Sequence, residues 1–231
     1  MADDCGRGAG VVASGCVVML SYTNRRGVTY FVHEVRTRAG RRRYVAKRVR
    51  KGALAELPEG LEIAENVNGQ VSVRAARPRA IPPEEEQAVR EALERHERAR
   101  WRVEVKDRDI IVHEPDYDLD GVTELLDPLA GWGVLGPALD AHMRKHVGDA
   151  AWDAERRRRK DEARRRLERR MRYSPVLRFR LDDPDRRLFS VERMCYRGEG
   201  GWLWLKTGLS LDDACNRYVP LLGTDEMYEE F

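Results

Sequence analysis

The chain has 231 residues, enough for one large domain or two small ones with a hydrophobic core. Charged residues make up 36% and apolar residues 42%, and no apolar run approaches the roughly 18 residues of a membrane span, which points to a soluble protein. The net charge of +3 conceals a partition: residues 1–80 carry 15 basic and 7 acidic groups, 81–150 carry 9 and 17, 151–172 carry 11 and 5, and 173–231 carry 8 and 11.

Cys5, Cys16, Cys195 and Cys215 are widely spaced with no Cys-x-x-Cys pair, which argues against a zinc ribbon or a disulfide framework and fits a reducing cytoplasm. Residues 8–20, GAGVVASGCVVML, are small and apolar, but Asp3 and Asp4 oppose a single Arg7 where a signal peptide wants positive charge. Residues 1–16 therefore read as a mobile tail, and patterned sequence begins near Met19.

Residues 17–76 read as a small antiparallel β domain. A strand near Val17–Tyr22 is followed by TYFVHEV (29–35) and RRRYVAKRV (41–49), rich in branched and aromatic residues, with Ala39-Gly40 as their turn. LEIAEN (61–66) and QVSVR (70–74) flank Asn68-Gly69, the pair that best tolerates a type I′ turn. The polar positions are largely arginine: residues 24–51 hold eleven basic groups and one acid, Glu34.

RPRAIPP (77–83) reads as a linker that opens a helix, with Pro83 in its first turn and Glu84, Glu85 and Glu86 complementing the dipole. Ala88, Val89, Ala92, Leu93 and His96 carry helical spacing to about residue 99. WRVEV (101–105) and DIIVH (109–113) predict a hairpin. A short helix near 121–130, a glycine break at GWGVLG (131–136) and a helix from Pro137 follow, with Gly148 as a break and Asp149 as the cap of a charged helix 149–172 ended by Ser174-Pro175. Beyond lie strands at 176–181, 188–196 and 202–206, separated by turns at Asp183-Pro184 and a glycine stretch, and a helix at 211–218. With no internal repeat and no βαβ rhythm, residues 84–231 form the second domain of an α+β protein: a small antiparallel β domain followed by a mixed helix and β-hairpin domain with a long arginine-rich helix.

ERRRRKDEARRRLERRMR (155–172) holds ten arginines and one lysine, yet acids stand four residues away along most of it, as in Glu155–Arg159 and Glu162–Arg166. The chain has 37 arginines and 6 lysines, a bias that a GC-rich genome explains more simply than guanidinium chemistry does. This segment reads first as a self-paired, solvated helix and second as a nucleic-acid contact. The basic hairpin has almost no internal acids, and Tyr22, Tyr30 and Tyr44 lie among its charges. Arginines around exposed aromatics hold RNA by phosphate contact and base stacking, although tyrosine is also an ordinary strand residue and one sheet face must be core.

Three constellations bear on metal. DYDLDGVTELLD (116–127) matches a calcium loop at Asp116, Asp118, Asp120 and Gly121, but Asp127 stands where the bidentate Glu belongs and Thr123 where an apolar residue packs, so an ordinary turn and helix cap is expected. His142 and His146 share a helix face without a third ligand, and His33-Glu34 and His113-Glu114 lack the second histidine of a zinc protease motif. GWGVLG fits a dinucleotide glycine pattern but lies between helices, and no nucleophile elbow occurs.

The expectation is a cytoplasmic, bacterial protein that binds rather than catalyses, with no membrane contact, no cofactor and no metal. Its leading partner is nucleic acid, RNA ahead of DNA, held by Arg36, Arg38, Arg41, Arg42, Arg43, Tyr44, Lys47 and Arg48. An adaptor for an acidic protein partner comes second, and a metal-dependent enzyme third.

Overall fold

The computed structural model describes residues 9–12, 19–125, 135–195 and 201–229. The fold is α+β, with three antiparallel sheets. The chain divides into two compact units, one built up to Pro115 and again from Arg172, the other from Asp116 to Met171. Among the described residues no helix is long and apolar enough to cross a membrane.

In the larger unit, β1 (Ala9–Val12), β2 (Met19–Thr23), β3 (Thr29–Arg36) and β4 (Arg42–Lys47) form a meander in that order. Residues 9–12, inside the expected tail, therefore pair as an edge strand, Val11 opposite Leu20. β5 (Leu61–Glu65) and β6 (Val71–Ala75) form a separate hairpin. The third sheet runs β11-β10-β9-β8-β7, from β7 (Arg102–Lys106), β8 (Asp109–Pro115), β9 (Tyr173–Asp183), β10 (Leu188–Cys195) and β11 (Gly201–Leu209).

Alternation makes one face of this five-stranded sheet the core. Val103, Val112 and Leu177 form one cross-strand row, and Ile110, Phe179 and Val191 the next. Against them pack α1 (Pro83–Arg95), through Val89, Ala92 and Leu93, and α5 (Leu211–Tyr218), through Ala214, Cys215 and Tyr218. The short α6 (Glu226–Glu229), unforeseen in the sequence, adds Met227. The proline-rich stretch 77–83 lies inside this unit: Ile81 is 1% exposed in the same core, and Ala80 O accepts from Arg187 Nη1 at 3.3 Å.

Three tight turns in the β region share one chemistry. In residues 24–28, 37–41 and 66–70 (NRRGV, TRAGR, NVNGQ), the first residue offers a side-chain oxygen to the turn and the fourth is a glycine at φ +74 to +75. Gly27, Gly40 and Gly69 each donate to the carbonyl three residues back, at 2.9 Å. Asn66 Oδ1 accepts from Asn68 N and Gln70 N, Asn24 Oδ1 from Arg26 N and Val28 N, and Thr37 Oγ1 from Arg41 N. This corrects the type I′ turn expected at Asn68-Gly69. That turn needs positive φ at both residues, whereas Gly69 has it and Asn68 does not; the three-residue loop with a left-handed glycine is the form adopted.

Asn68 instead spends its side chain on the large sheet. Its Nδ2 donates to Tyr173 O at 2.9 Å and its Oδ1 accepts from Tyr173 N at 2.8 Å. Around this tie, Asn24 Nδ2 donates to Gly69 O, Tyr22 Oη and Arg25 N both bond to Glu65, and the Arg25 and Arg102 guanidiniums lie 5.0 and 5.8 Å from the centre of the Tyr173 ring. Tyr173 is 4% exposed as a result.

Several element boundaries differ from expectation for local reasons. α1 stops at Arg95, because Glu97 adopts φ +59 and Arg98 N returns to Leu93 O. Ser174-Pro175 does not end the charged helix; it lies within β9, which begins at Tyr173, and a register shift between Val112 and His113 accommodates the proline. β11 extends to Leu209, past the expected 206.

The second unit contains α2 (Leu119–Leu125), α3 (Leu135–Val147) and α4 (Asp149–Arg170). The glycine break at 131–136 and the end of the expected helix at 126–130 fall almost wholly outside the described residues. Gly148, at φ +89, occupies the N-cap position that Asp149 was expected to take, and Asp149 is the first helical residue. α4 is about 33 Å long at ~1.5 Å per residue. Trp152 near its start and Met171 just beyond its end are 5% and 1% exposed. Asp140 on α3 accepts from Trp152 Nε1 at 2.8 Å and meets Arg144 and Arg156, while Arg144 also reaches Asp153 at 2.9 Å.

Asn68→Ala is expected to lower stability by about 1–3 kcal/mol, since it leaves both backbone groups of buried Tyr173 unpaired. Asn216→Ala, on the exposed side of α5, should stay within about 0.5 kcal/mol. Urea unfolding of both variants checks this, and equal midpoints would show that the Asn68 tie carries no stability.

Candidate nucleic-acid interface

The basic hairpin is built from β3, the turn 37–41 and β4. β3 pairs with β2 only through Thr29–Phe31; at Val32 the partner becomes Leu54, whose N donates to Val32 O and whose O accepts from Leu20 N. Among the described residues, β3 from His33 outward has β4 as its strand partner, in the register His33–Val45, Glu34–Tyr44, Val35–Arg43 and Arg36–Arg42. Among those residues the outer part is thus a two-stranded arm, and β4 also lies near β6. Residues 36–43 are all exposed, and a Cβ placed on Gly40 would meet nothing within 4 Å.

Register assigns each side chain to a face, because directly opposite residues share one and successive residues alternate. One face holds Tyr22, Tyr30, Val32, Glu34, Arg36, Arg42, Tyr44 and Ala46. The other holds Phe31, His33, Val35, Arg43, Val45 and Lys47. Arg38 and Arg41 belong to the turn. Six of the eight residues expected to bind, Arg36, Arg38, Arg41, Arg42, Arg43 and Tyr44, are therefore brought to the arm but divided between its faces and tip, while Lys47, opposite Phe31, and Arg48, just past β4, lie at its base. Arg36, Arg38, Arg41, Arg42, Arg43, Lys47 and Arg48 are exposed, and Tyr44 is half-buried.

The three tyrosines share the face of Val32, which is 2% exposed, and each is half-buried. Tyr22 is tied to Glu65 at 2.7 Å, and the Arg48 guanidinium lies 5.9 Å from the Tyr30 ring centre. They are packing groups as much as platforms, which leaves base stacking less to rest on than phosphate contact. His33, 6% exposed, spends Nε2 on Val49 O at 2.7 Å and so belongs to the scaffold. The one acid of the arm, Glu34, meets Arg42 at 3.5 Å.

The arginine helix is more engaged. Glu155–Arg159 and Glu162–Arg166 form as the four-residue spacing predicts, at 2.7 and 3.6 Å. Glu155 also holds Arg158, and Arg164 reaches Asp120 on α2 at 3.2 Å, a pairing between distant positions that spacing along one helix cannot reveal.

The metal-like constellations have other occupations. Asp118 accepts from Asp120 N and Gly121 N at 3.0 Å and caps α2, the turn-and-cap arrangement expected. Asp127 lies outside the described residues. The His142 and His146 rings stand 4.3 Å apart on an exposed face. Among the described residues no group of three His, Cys, Asp or Glu side chains could hold an ion. Cys195 and Cys215 are free thiols, and burial pushes Cys215 up to about 12, far from a reactive thiolate.

A polar row that the sequence reading missed crosses the outer face of the large sheet: Glu104, Ile111, Arg178, Glu192 and Trp204. Arg178 joins Asp109 at 3.5 Å and Glu192 more closely, and lies 4.5 Å from the Trp202 ring centre. Burial holds Asp109 above its ordinary carboxylate value despite Arg178 and Arg180. Beside it burial pushes Glu104 up, but hydrogen bonds from His113 and Lys106 outweigh this and hold it low. Arg178 is shared by two carboxylates here, and the row reads as sheet stabilisation. Alternation at 178 and 192 was the available signal.

No protein-family model, no curated protein and no solved structure matches this chain.

Arg178→Met is expected to leave Asp109 and Glu192 uncompensated, costing about 2–4 kcal/mol at pH 7, a buried-pair figure reduced for partial solvation. Burial already holds the Asp109 carboxyl above its ordinary value, and without the cation that opposes this it rises further. Its share of the penalty is then present at neutral pH and relieved as pH falls through the raised value. Urea midpoints at pH 7 and pH 4.5 test the sign; an undiminished penalty at pH 4.5 would contradict it.

Proposed function

We propose that this protein binds nucleic acid through the β3–β4 arm and does so without catalysis, as a cytoplasmic protein. The observation that carries the reading is charge without compensation. Residues 36–51 hold nine basic groups and no acid, and all nine are exposed. The acid just before them, Glu34, offsets a single arginine. Such a surface lowers its own energy by meeting phosphates and releasing their counterions, a contact that does not depend on base sequence.

Arg36, Arg38, Arg41, Arg42, Arg43, Lys47 and Arg48 supply the cations, and Tyr44 sits beside them. RNA and DNA both offer the required phosphates. A second reading, a protein–protein adaptor, draws on a different observation: edge strand β11 leaves Leu203 40% and Trp204 59% exposed.

Replacing Arg41, Arg42 and Arg43 by Glu should weaken binding to many sequences alike and flatten the plot of log K against log salt. The expected change is up to about 0.9 per lost contact on duplex DNA and about 0.7 on single strands. The same change at Arg164, Arg165 and Arg166 should do less, because Arg164 and Arg166 already meet Asp120 and Glu162. Anisotropy of labelled RNA and duplex DNA over a salt series measures both. Equal losses in the two variants would mean that another surface binds, and no wild-type binding at about 50 mM salt would remove the reading.

A further inference from the structure

Most basic surfaces that lie along a nucleic acid present their cations on one face. The arm does the opposite. Arg36 and Arg42 project from one face, Arg43 and, at the base opposite Phe31, Lys47 from the other, and Arg38 and Arg41 from the tip between them. Beyond Val32 neither β2 nor Leu54 pairs with β3, residues 36–43 are exposed throughout, and the Gly40 position has open space around it. A two-stranded ribbon with cations on both faces and at its end fits a channel with anions on both walls better than it fits a plane.

We infer that the arm enters the major groove of duplex DNA, so that its two faces meet the phosphates of the two strands. This rests on the nucleic-acid reading above and narrows it to one class of ligand. The dimensions agree. Face to face a ribbon with its side chains is about 10 Å thick, and the four extended residues beyond Val32, His33 to Arg36, reach about 13 Å at ~3.3 Å each. The major groove of B-form DNA is about 12 Å wide and about 8.5 Å deep, and it admits a two-stranded ribbon. The A-form major groove of duplex RNA is too deep and narrow for side chains to read. A single strand has no second wall. The tyrosines, which would favour unpaired bases, are each half-buried, with Tyr22 held by Glu65 and Tyr30 beside Arg48.

The test compares labelled 20-mers of duplex DNA, single-stranded DNA, single-stranded RNA and duplex RNA at one salt concentration. It uses the full chain and two double variants, Arg36→Gln/Arg42→Gln and Arg43→Gln/Lys47→Gln. All four side chains are exposed, and thermal melts of each variant confirm that folding is intact. Duplex DNA should bind most tightly, and each double variant should weaken it by a similar factor of about ten, the order expected for two lost phosphate contacts. Single strands bound as tightly as the duplex, or a loss confined to one pair, would place the arm flat on its ligand and overturn the groove while leaving nucleic-acid binding intact. Duplex RNA bound as tightly as duplex DNA would overturn it too. No binding to any of the four would remove both readings.

Discussion

A guanidinium is costly to take out of water unless a carboxylate, a carbonyl or an aromatic face receives it, and this constraint sorts the arginines of the chain. Arg178 and Arg187 are received by carboxylates, Arg98 by the carbonyl of Leu222, and Arg25 by the ring of Tyr173. Each of these joins segments distant in sequence. Arg187 is 102 residues from Glu85, and Arg98 is 124 from Leu222. Among the described residues the basic groups of the arm and its base have as receivers Glu34, which meets Arg42, and the ring of Tyr30, near Arg48, so the fold leaves most of them in water. The same chemistry that ties the larger unit together thus leaves a basic protrusion.

The arm also depends on the scaffold beneath it. Asn68 gives both polar groups of its side chain to the backbone of Tyr173, and Tyr173 lies beneath two guanidiniums, so the β5–β6 hairpin is held to the large sheet at one buried residue. Glu65 then holds Tyr22 and the backbone of Arg25 on the meander. The fixed part of β3 ends where Leu54 takes over from β2, and that interruption leaves the rest of β3 with β4 as its strand partner.

Much of this was legible in the sequence. Branched residues with glycine turns gave β3 to β6 close to their true limits, and the spacing of Val89, Ala92 and Leu93 gave the buried side of α1. What escaped depended on partners far along the chain. The recurring NRRGV, TRAGR and NVNGQ segments announce a shared turn, but reading Asn68-Gly69 as a pair hid the role of Asn66 as the turn's acceptor and freed Asn68 on paper for a conformation it does not adopt. Pro175 looked like a helix stop because a proline inside a strand is tolerated only where register slips, and that slip is made by β8. Of the binding residues, their identity and exposure could be anticipated but not their division into two faces. That division follows from the five-residue turn, which sets Arg36 opposite Arg42 and thereby Arg43 on the reverse side. The helix α4 was legible as helix, but not its ties to Asp140 and Asp120.

Two charged elements thus have different characters. α4 directs several of its arginines to acids on its own or neighbouring helices, whereas the arm leaves nearly all of its cations exposed to water. Hydrogen–deuterium exchange of the full chain with and without duplex DNA measures this contrast directly, because backbone amides report where the ligand sits without altering any charge. Slower exchange concentrated in peptides covering residues 34–48, with α4 unchanged, is the predicted result. Protection of residues 149–170 with the arm unaffected would contradict the account.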